Sequence, residues 1–306
     1  MKKNDSVIIA MKRRRLEFFK LLVAAVYFLI CPAGSAYAND EICHPFQGVT
    51  YIHRTQTLPR LLSMHILIID LHADGISFLV TPPNNDLPGN TNKQTTSSFL
   101  KSCNAQMAIN GDFFWHDPKG QSITTSVCGF AASNGAIYNP FQSGWEYAIN
   151  ISKNNTATLI HWVAGGSNTQ YAPAEVSIYN AIGGAPKIIS NGRLFPCTDS
   201  TNTAAGLHPR TAIGLTDDDK LVLFVVDGRQ VHSGGMTTVE TPEVLLGFGV
   251  VDAINLDGGG SSTMVLADPN VRIVNSPADA TGEREVANHL AVYAKPARTC
   301  DLLHAM

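Results

Sequence analysis

Val250-Val251-Asp252-Ala253-Ile254-Asn255-Leu256-Asp257-Gly258-Gly259-Gly260-Ser261-Ser262-Thr263 runs from an apolar strand into a carboxylate, three glycines and three hydroxyl side chains. Glycines in a row cost backbone entropy and leave nothing to pack. They belong where the chain must reach φ > 0 or where its N–H groups must come close to a ligand. A carboxylate, bare amides and hydroxyls at a strand end make a polar pocket floor suited to a sugar or a phosphate. A tight turn after a buried strand explains many glycine pairs. The flanking Asp257 and Ser261-Ser262-Thr263 favour a site.

Three more stretches share this design, an apolar strand emptying into polar and glycine residues: Ala108-Ile109-Asn110-Gly111-Asp112-Phe113-Phe114, His208-Pro209-Arg210-Thr211-Ala212 and Phe224-Val225-Val226-Asp227-Gly228-Arg229. Alone, Asn110-Gly111 and Asp227-Gly228 read as ordinary turns. Their repetition predicts strand ends converging on one cleft, where sites collect.

Further strands are expected at 65–70 and 76–80, joined by the hairpin signal Asp74-Gly75, and at 106–109, 147–151, 158–162, 264–266, 271–274 and 289–294. Asp217-Asp218-Asp219-Lys220 is a hairpin turn between strands at 211–215 and 221–226, its acids solvated. Thr95-Thr96-Ser97-Ser98 reads as a capped helix start. A short helix follows Thr241-Pro242-Glu243, with Thr241 as N-cap and Gly247 or Gly249 as its end. Residues 39–61 read as an irregular lead-in and 117–145 as a long loop or lid. The expected class is α+β: a single domain at 62–295 with a multi-stranded mixed or antiparallel sheet core, a few short helices, the site at strand ends and a tail at 296–306.

The chain has 306 residues, 44% hydrophobic and 15% charged. Lys12-Arg13-Arg14-Arg15, the apolar run from Leu21 to Ile30 and Ala36-Tyr37-Ala38 read as a secretory signal peptide over residues 1–38, too short for a membrane span. Its removal takes away seven basic and two acidic side chains and moves the formal net charge from −3 to −8. An acidic, exported, periplasmic or extracellular domain without a basic cluster is a poor nucleic-acid binder. Cys43, Cys103, Cys128, Cys197 and Cys300 remain in an oxidising compartment, so one or two disulfides are expected, with Cys43 and Cys300 near the two ends as the favoured pair. No C-x-x-C, H-E-x-x-H or G-x-S-x-G occurs. No cofactor is expected; a bound divalent cation, for which His116-Asp117 or His208 would be ligands, is left open, and so is the oligomeric state.

In the cleft, Arg210 is the natural anion clamp, its planar fork matching phosphate or carboxylate, unless it pairs with Asp227 or Asp257. Asp227 and Asp257 are the obvious pair for work at a sugar carbon, their environments pushing their pKa values apart. Asp112 and Asp252 are rivals.

These four motifs, in this order, resemble the phosphodiester glycosidase family. Ala181-Ile182-Gly183-Gly184-Ala185-Pro186 and Arg284-Glu285-Val286-Ala287-Asn288 extend the resemblance, which runs from about residue 62 to 295. Membership implies cleavage of a sugar-1-phosphodiester at the glycosidic C–O bond, with a carbohydrate phosphodiester as substrate. By the resemblance, Asp257, Asp227 and Arg210 are the catalytic candidates. Asn110, Gly111, Arg229, Gly258, Gly259, Ser261, Ser262 and Asn288 are the substrate-binding ones. Asp112 stands where relatives carry various small residues and Glu285 where proline is common, so neither is counted. Two other classes stay open: a non-catalytic phosphosugar-binding envelope protein, and a metal-dependent phosphodiesterase cutting P–O.

Overall fold

The computed structural model describes residues 38–85, 88–115, 122–196 and 206–297, all within one compact unit. The signal segment, Cys31, His116-Asp117, Cys197 and Cys300 lie outside these residues. The described chain is mostly β, which corrects the α+β expectation. It has twenty-one strands against two α-helices of eight and seven residues, and every strand pairing is antiparallel, so the sheets are not mixed.

Eight strands form the largest sheet, in the order Ala38–Phe46, Val49–Gln56, Leu62–Asp70, Lys220–Val226, Arg210–Thr216, Val250–Asn255, Lys187–Ser190 and Arg193–Leu194. Five strands form another, with Met107–Asn110 between Met264–Ala267 and His289–Tyr293. A six-stranded sheet is centred on Tyr147–Ile151 and Asn180–Gly184.

Period-two alternation distributes the side chains of the large sheet. Leu67, Ile69, Leu221, Leu223, Val225 and Ile213 join one core with Ile109, Met264 and Leu290 of the five-stranded sheet and Ile149 and Ile182 of the six-stranded one. Met64, Ile66, Val222, Phe224 and Val226 face the other way and are capped by Leu245 of the helix Glu240–Leu246. Both faces are buried, so Leu221–Val226 reads as a continuous apolar run rather than an alternation. The helix Thr96–Cys103 covers the outer face of the five-stranded sheet with Phe99 and Leu100. Each helix covers a sheet face; neither crosses between parallel strands. That is the physical reason for the class.

Four local expectations change. The lead-in at 39–61 is irregular only at 57–61: Ala38–Phe46 and Val49–Gln56 pair across a turn with Gly48 at φ 73°. Asp74-Gly75 is not a hairpin, since Leu62–Asp70 and Ser77–Val80 belong to different sheets and the turn hands the chain from one to the other. The expected 117–145 loop contains Ala131–Ser133 and Ala136–Asn139, a hairpin closed by Asn134-Gly135, both at positive φ. Thr95 does cap its helix, its Oγ1 accepting from Ser98 N at 3.1 Å. The second helix starts at Glu240, one residue before the expected cap, and Thr237 Oγ1 accepts from Glu240 N at 3.1 Å.

Candidate functional site

Hydrogen bonds tie the four motifs together. Asn110 ends its strand fully buried, and its Nδ2 donates to Asp257 O at 2.7 Å. Its Oδ1 accepts from Thr211 Oγ1 at 2.9 Å and from Thr263 N at 3.0 Å. Gly111 O accepts from Asp257 N at 3.0 Å, and a Cβ on Gly111 would lie 2.4 Å from Asn288 Oδ1, so only glycine fits there. Pro209 O accepts from Gly259 N at 2.9 Å, and a Cβ on Gly228 would come within 2.5 Å of Pro209 N. Strand ends from two sheets therefore meet at the Asp257–Ser262 turn.

Asp257 is half-buried at that meeting point. Loss of hydration pushes its carboxyl up to about 6, against the opposing effects of a Ser261 hydrogen bond, the Arg284 charge and the Gly258 amide. Arg284 is itself held by Asp279, with Nε–Oδ2 2.8 Å and Nη2–Oδ1 3.0 Å, and its Nη1 lies 3.3 Å from Ser261 Oγ. A Cβ on Gly260 would fall 2.0 Å from Asp279 Oδ1, so the third glycine makes room for this ion pair.

Asp112 is the second carboxyl of the site. It is 1% exposed; Oδ2 accepts from Gly129 N at 2.6 Å, while Oδ1 has no hydrogen-bond partner. Burial, with the Asp257 charge adding to it, pushes Asp112 up to about 8. Burial thus raises both carboxyls above the ordinary aspartate range, Asp112 further than Asp257.

Asp227 is built differently. Its Oδ1 accepts from Ser276 N at 2.8 Å and Asn275 Nδ2 at 3.2 Å, and its Oδ2 lies 3.3 Å from His232 Nε2 and 3.6 Å from His65 Nε2. Burial works to raise it, yet these partners hold the carboxyl below the usual range. Asn275 also donates to Ser262 O at 3.0 Å, so Asp227 braces the glycine turn from behind.

The arginines separate just as clearly. Arg210 is buried, with Nε donating to Met236 O at 2.9 Å and Nη2 to Gly206 O at 2.8 Å. Arg229, at φ 59°, is exposed and lies over Gly259, with Nη2 3.2 Å from where a Cβ would stand. Its guanidinium meets Nδ1 of His208 at 3.1 Å, and burial and the two nearby arginines lower the pKa of His208, keeping it a neutral acceptor. Arg229 is thus the solvent-facing cation beside the turn.

A sequence model of the phosphodiester glycosidase family matches residues 103–293, more than half of the chain and all four motifs. The chain belongs to this family. Among relatives, the SPbeta prophage-derived protein YomE of Bacillus subtilis is 28% identical over 219 residues, 69% of this chain and 31% of that protein. The human N-acetylglucosamine-1-phosphodiester alpha-N-acetylglucosaminidase is 33% identical over 126 residues, 37% of this chain and 24% of that protein. The chain thus spans about a third of the first relative and a quarter of the second. In fold, the catalytic domain of the zebrafish N-acetylglucosamine-1-phosphodiester alpha-N-acetylglucosaminidase superposes with a TM-score of 0.56 at 21% identity, covering 86% of this chain and 85% of that one. A Synechocystis protein gives 0.63 at 15% identity, covering 84% and 64%.

Within the family motifs, Asp257, Gly258, Gly259, Ser261 and Arg229 stand at the turn. Asn110, Gly111, Ser262 and Asn288 brace it: Thr211 Oγ1 is 3.1 Å from Ser262 Oγ, and Asn288 Oδ1 accepts from Asp112 N at 2.8 Å. Asp252 lies apart, accepting from Asn191 N at 3.3 Å. Arg284 belongs to a family motif that by itself assigns it no role, and no sequence pattern marks Asp279, Asn275 or His232. Among the described residues no three His, Cys, Asp or Glu side chains group as metal ligands. Cys103 and Cys128 carry free thiols. No described helix is long and apolar enough to cross a membrane.

Proposed function

We propose that this protein is an exported hydrolase that cleaves the glycosidic C–O bond of a sugar-1-phosphodiester in envelope or extracellular glycans. One observation carries the reading: one glycine turn presents a half-buried carboxyl, Asp257, and an exposed arginine, Arg229, which lies over Gly259 two residues on and pairs with no carboxylate among the described residues. Family membership and the activity named for the human relative support it. The basic, apolar and Ala36-Tyr37-Ala38 segments support export.

A phosphate monoester is a good leaving group, so proton donation to the leaving oxygen matters less than in ordinary glycoside hydrolysis. Arg229 holds the phosphate. The glycine-turn amides contribute less to this than glycines usually do, because Gly259 N is already bonded to Pro209 O. Asp257 faces the sugar carbon and stabilises the oxocarbenium-like transition state or activates water. Ser261 and Arg284 fix its orientation, and Asp227 and Arg210 fix the surrounding turns. Turnover of a chromogenic sugar-1-phosphodiester by purified protein, lost in Asp257→Asn, is the test. Ligand binding with no release above background would instead make the protein a phosphosugar-binding module.

A further inference from the structure

Next to Ala185-Pro186, the segment bonded to Asn255, lies a concavity of about 590 Å³. Phe113, Trp145, Tyr147, Pro186, Lys187 and Phe195 line it. The four aromatic residues are half-buried, each with part of its surface open to the groove. Phe113 and Trp145 meet at 4.8 Å with a 51° tilt, which leaves the indole supported from one side.

Lys187 is the unusual member. Its Nζ lies 4.7 Å from the Tyr147 ring centre and 4.3 Å from that of Phe195, and donates to Ser190 Oγ at 3.3 Å. No ion pair joins it to a carboxylate of the described residues; Asp252 acts on it only through longer-range charge. Glu146, the acid of the lining, already accepts from Gly144 N at 2.8 Å. A cation held over two rings, partly dehydrated and with its one acidic neighbour, Asp252, outside ion-pair distance, can take an anion in direct contact.

The groove adjoins the strand that leads into Asp257. Pro186 O accepts from Asn255 N at 3.0 Å, and Ala185 O accepts from Asn255 Nδ2 at 3.0 Å. Phe113 directly follows Asp112, whose carboxyl feels the Asp257 charge. An amphipathic, ring-shaped ligand with one negative group matches this lining: apolar sugar faces for the indole, hydroxyls for the rim, an anion for the ammonium.

We infer that the groove is a subsite for an anionic oligosaccharide, stacking a sugar ring on Trp145 and holding a phosphate or carboxylate on Lys187. It rests on the glycosidase reading in taking this saccharide as the part of the substrate beyond the scissile linkage. The substrate is then a chain bearing repeated negative groups, not an isolated sugar phosphate.

Isothermal titration of the full chain with three oligosaccharides of equal length tests this: one phosphodiester-bridged, one uronate-bearing and one neutral. Trp145→Ala weakens binding of both anionic saccharides about tenfold or more. Lys187→Met weakens the anionic ligands and leaves the neutral one unchanged, while Lys187→Arg restores binding. The tighter of the two anionic ligands identifies the group that Lys187 takes. Equal affinities across wild type, Trp145→Ala and Lys187→Met, or no anionic saccharide bound by wild type, overturn the proposal. Trp145→Phe keeps a ring and serves if the alanine variant unfolds, with a smaller loss expected. Hydrolysis of a small chromogenic sugar-1-phosphodiester is read in parallel and stays at the wild-type rate in both variants. Turnover without saccharide binding removes the groove alone; saccharide binding without turnover removes the glycosidase reading alone.

Discussion

The side-chain amide of Asn110 donates a 2.7 Å hydrogen bond to the main-chain oxygen of Asp257, 147 residues further along the chain. Through this bond the last residue of one strand sets the height of the candidate catalytic carboxylate above the core. Asn110→Ala removes this bond and the two accepted from Thr211 and Thr263, leaving buried groups unpaired. A loss of about 3 kcal/mol in unfolding free energy is expected, with activity falling more than stability alone explains. Urea denaturation and initial rates on the same preparation check both.

Asp257→Asn keeps the shape of the side chain and the Asn110 bond but removes the charge. The expected drop in kcat is about 10²–10⁴-fold with unfolding unchanged. In the wild type, kcat/KM rises as Asp257 ionises, with a limb near pH 6 set by its burial. A pH–rate profile flat from 5 to 7 would remove Asp257 from the reaction.

Asp112 predicts an inverted pH dependence of stability. Its folded pKa, about 8, lies above the ordinary aspartate value, so the folded state binds more protons than the unfolded one. Stability from this group is greatest below the ordinary carboxyl range and declines as pH climbs toward 8, by at most about 1.4 kcal/mol per pH unit. Asp257 adds to the decline only up to about pH 6. Asp112→Asn accepts from Gly129 N through its amide oxygen and flattens the curve. Thermal melts of both proteins at pH 6, 7 and 8 read the difference.

Arg229 sits at positive φ, where asparagine is tolerated better than alanine. Arg229→Asn therefore removes the cation without backbone strain. We expect a rise in KM of about tenfold or more for the phosphodiester, with the melting temperature nearly unchanged. A variant with the wild-type KM would transfer the phosphate to another cation.

Strands such as Arg210–Thr216 and Lys220–Val226, and the convergence of four strand ends, were legible in the sequence because each apolar run stops abruptly at glycine and polar residues. The division into sheets was not. Asp74-Gly75 has hairpin chemistry, yet the partners of its flanking strands are chosen by distant cores, and the two helices only cover faces of sheets built by strand pairing. Within the site, glycine spacing pointed to Asp257 but could not separate Asp227, fully hydrogen-bonded, from Asp112, buried with one bare oxygen. That difference comes from Asn275, Ser276 and Gly129, which no local pattern links to either acid. The Arg284–Asp279 pair was equally hidden, because only the fold shows that Gly260 makes room for it.

Hydrolysis of a sugar-1-phosphodiester in ¹⁸O-labelled water tests the central claim most directly, with mass spectrometry of both products. Attack at the sugar carbon places the label on the sugar C1 hydroxyl and leaves the phosphate unlabelled, which is the expected result. Label in the phosphate product would show P–O cleavage and contradict the account.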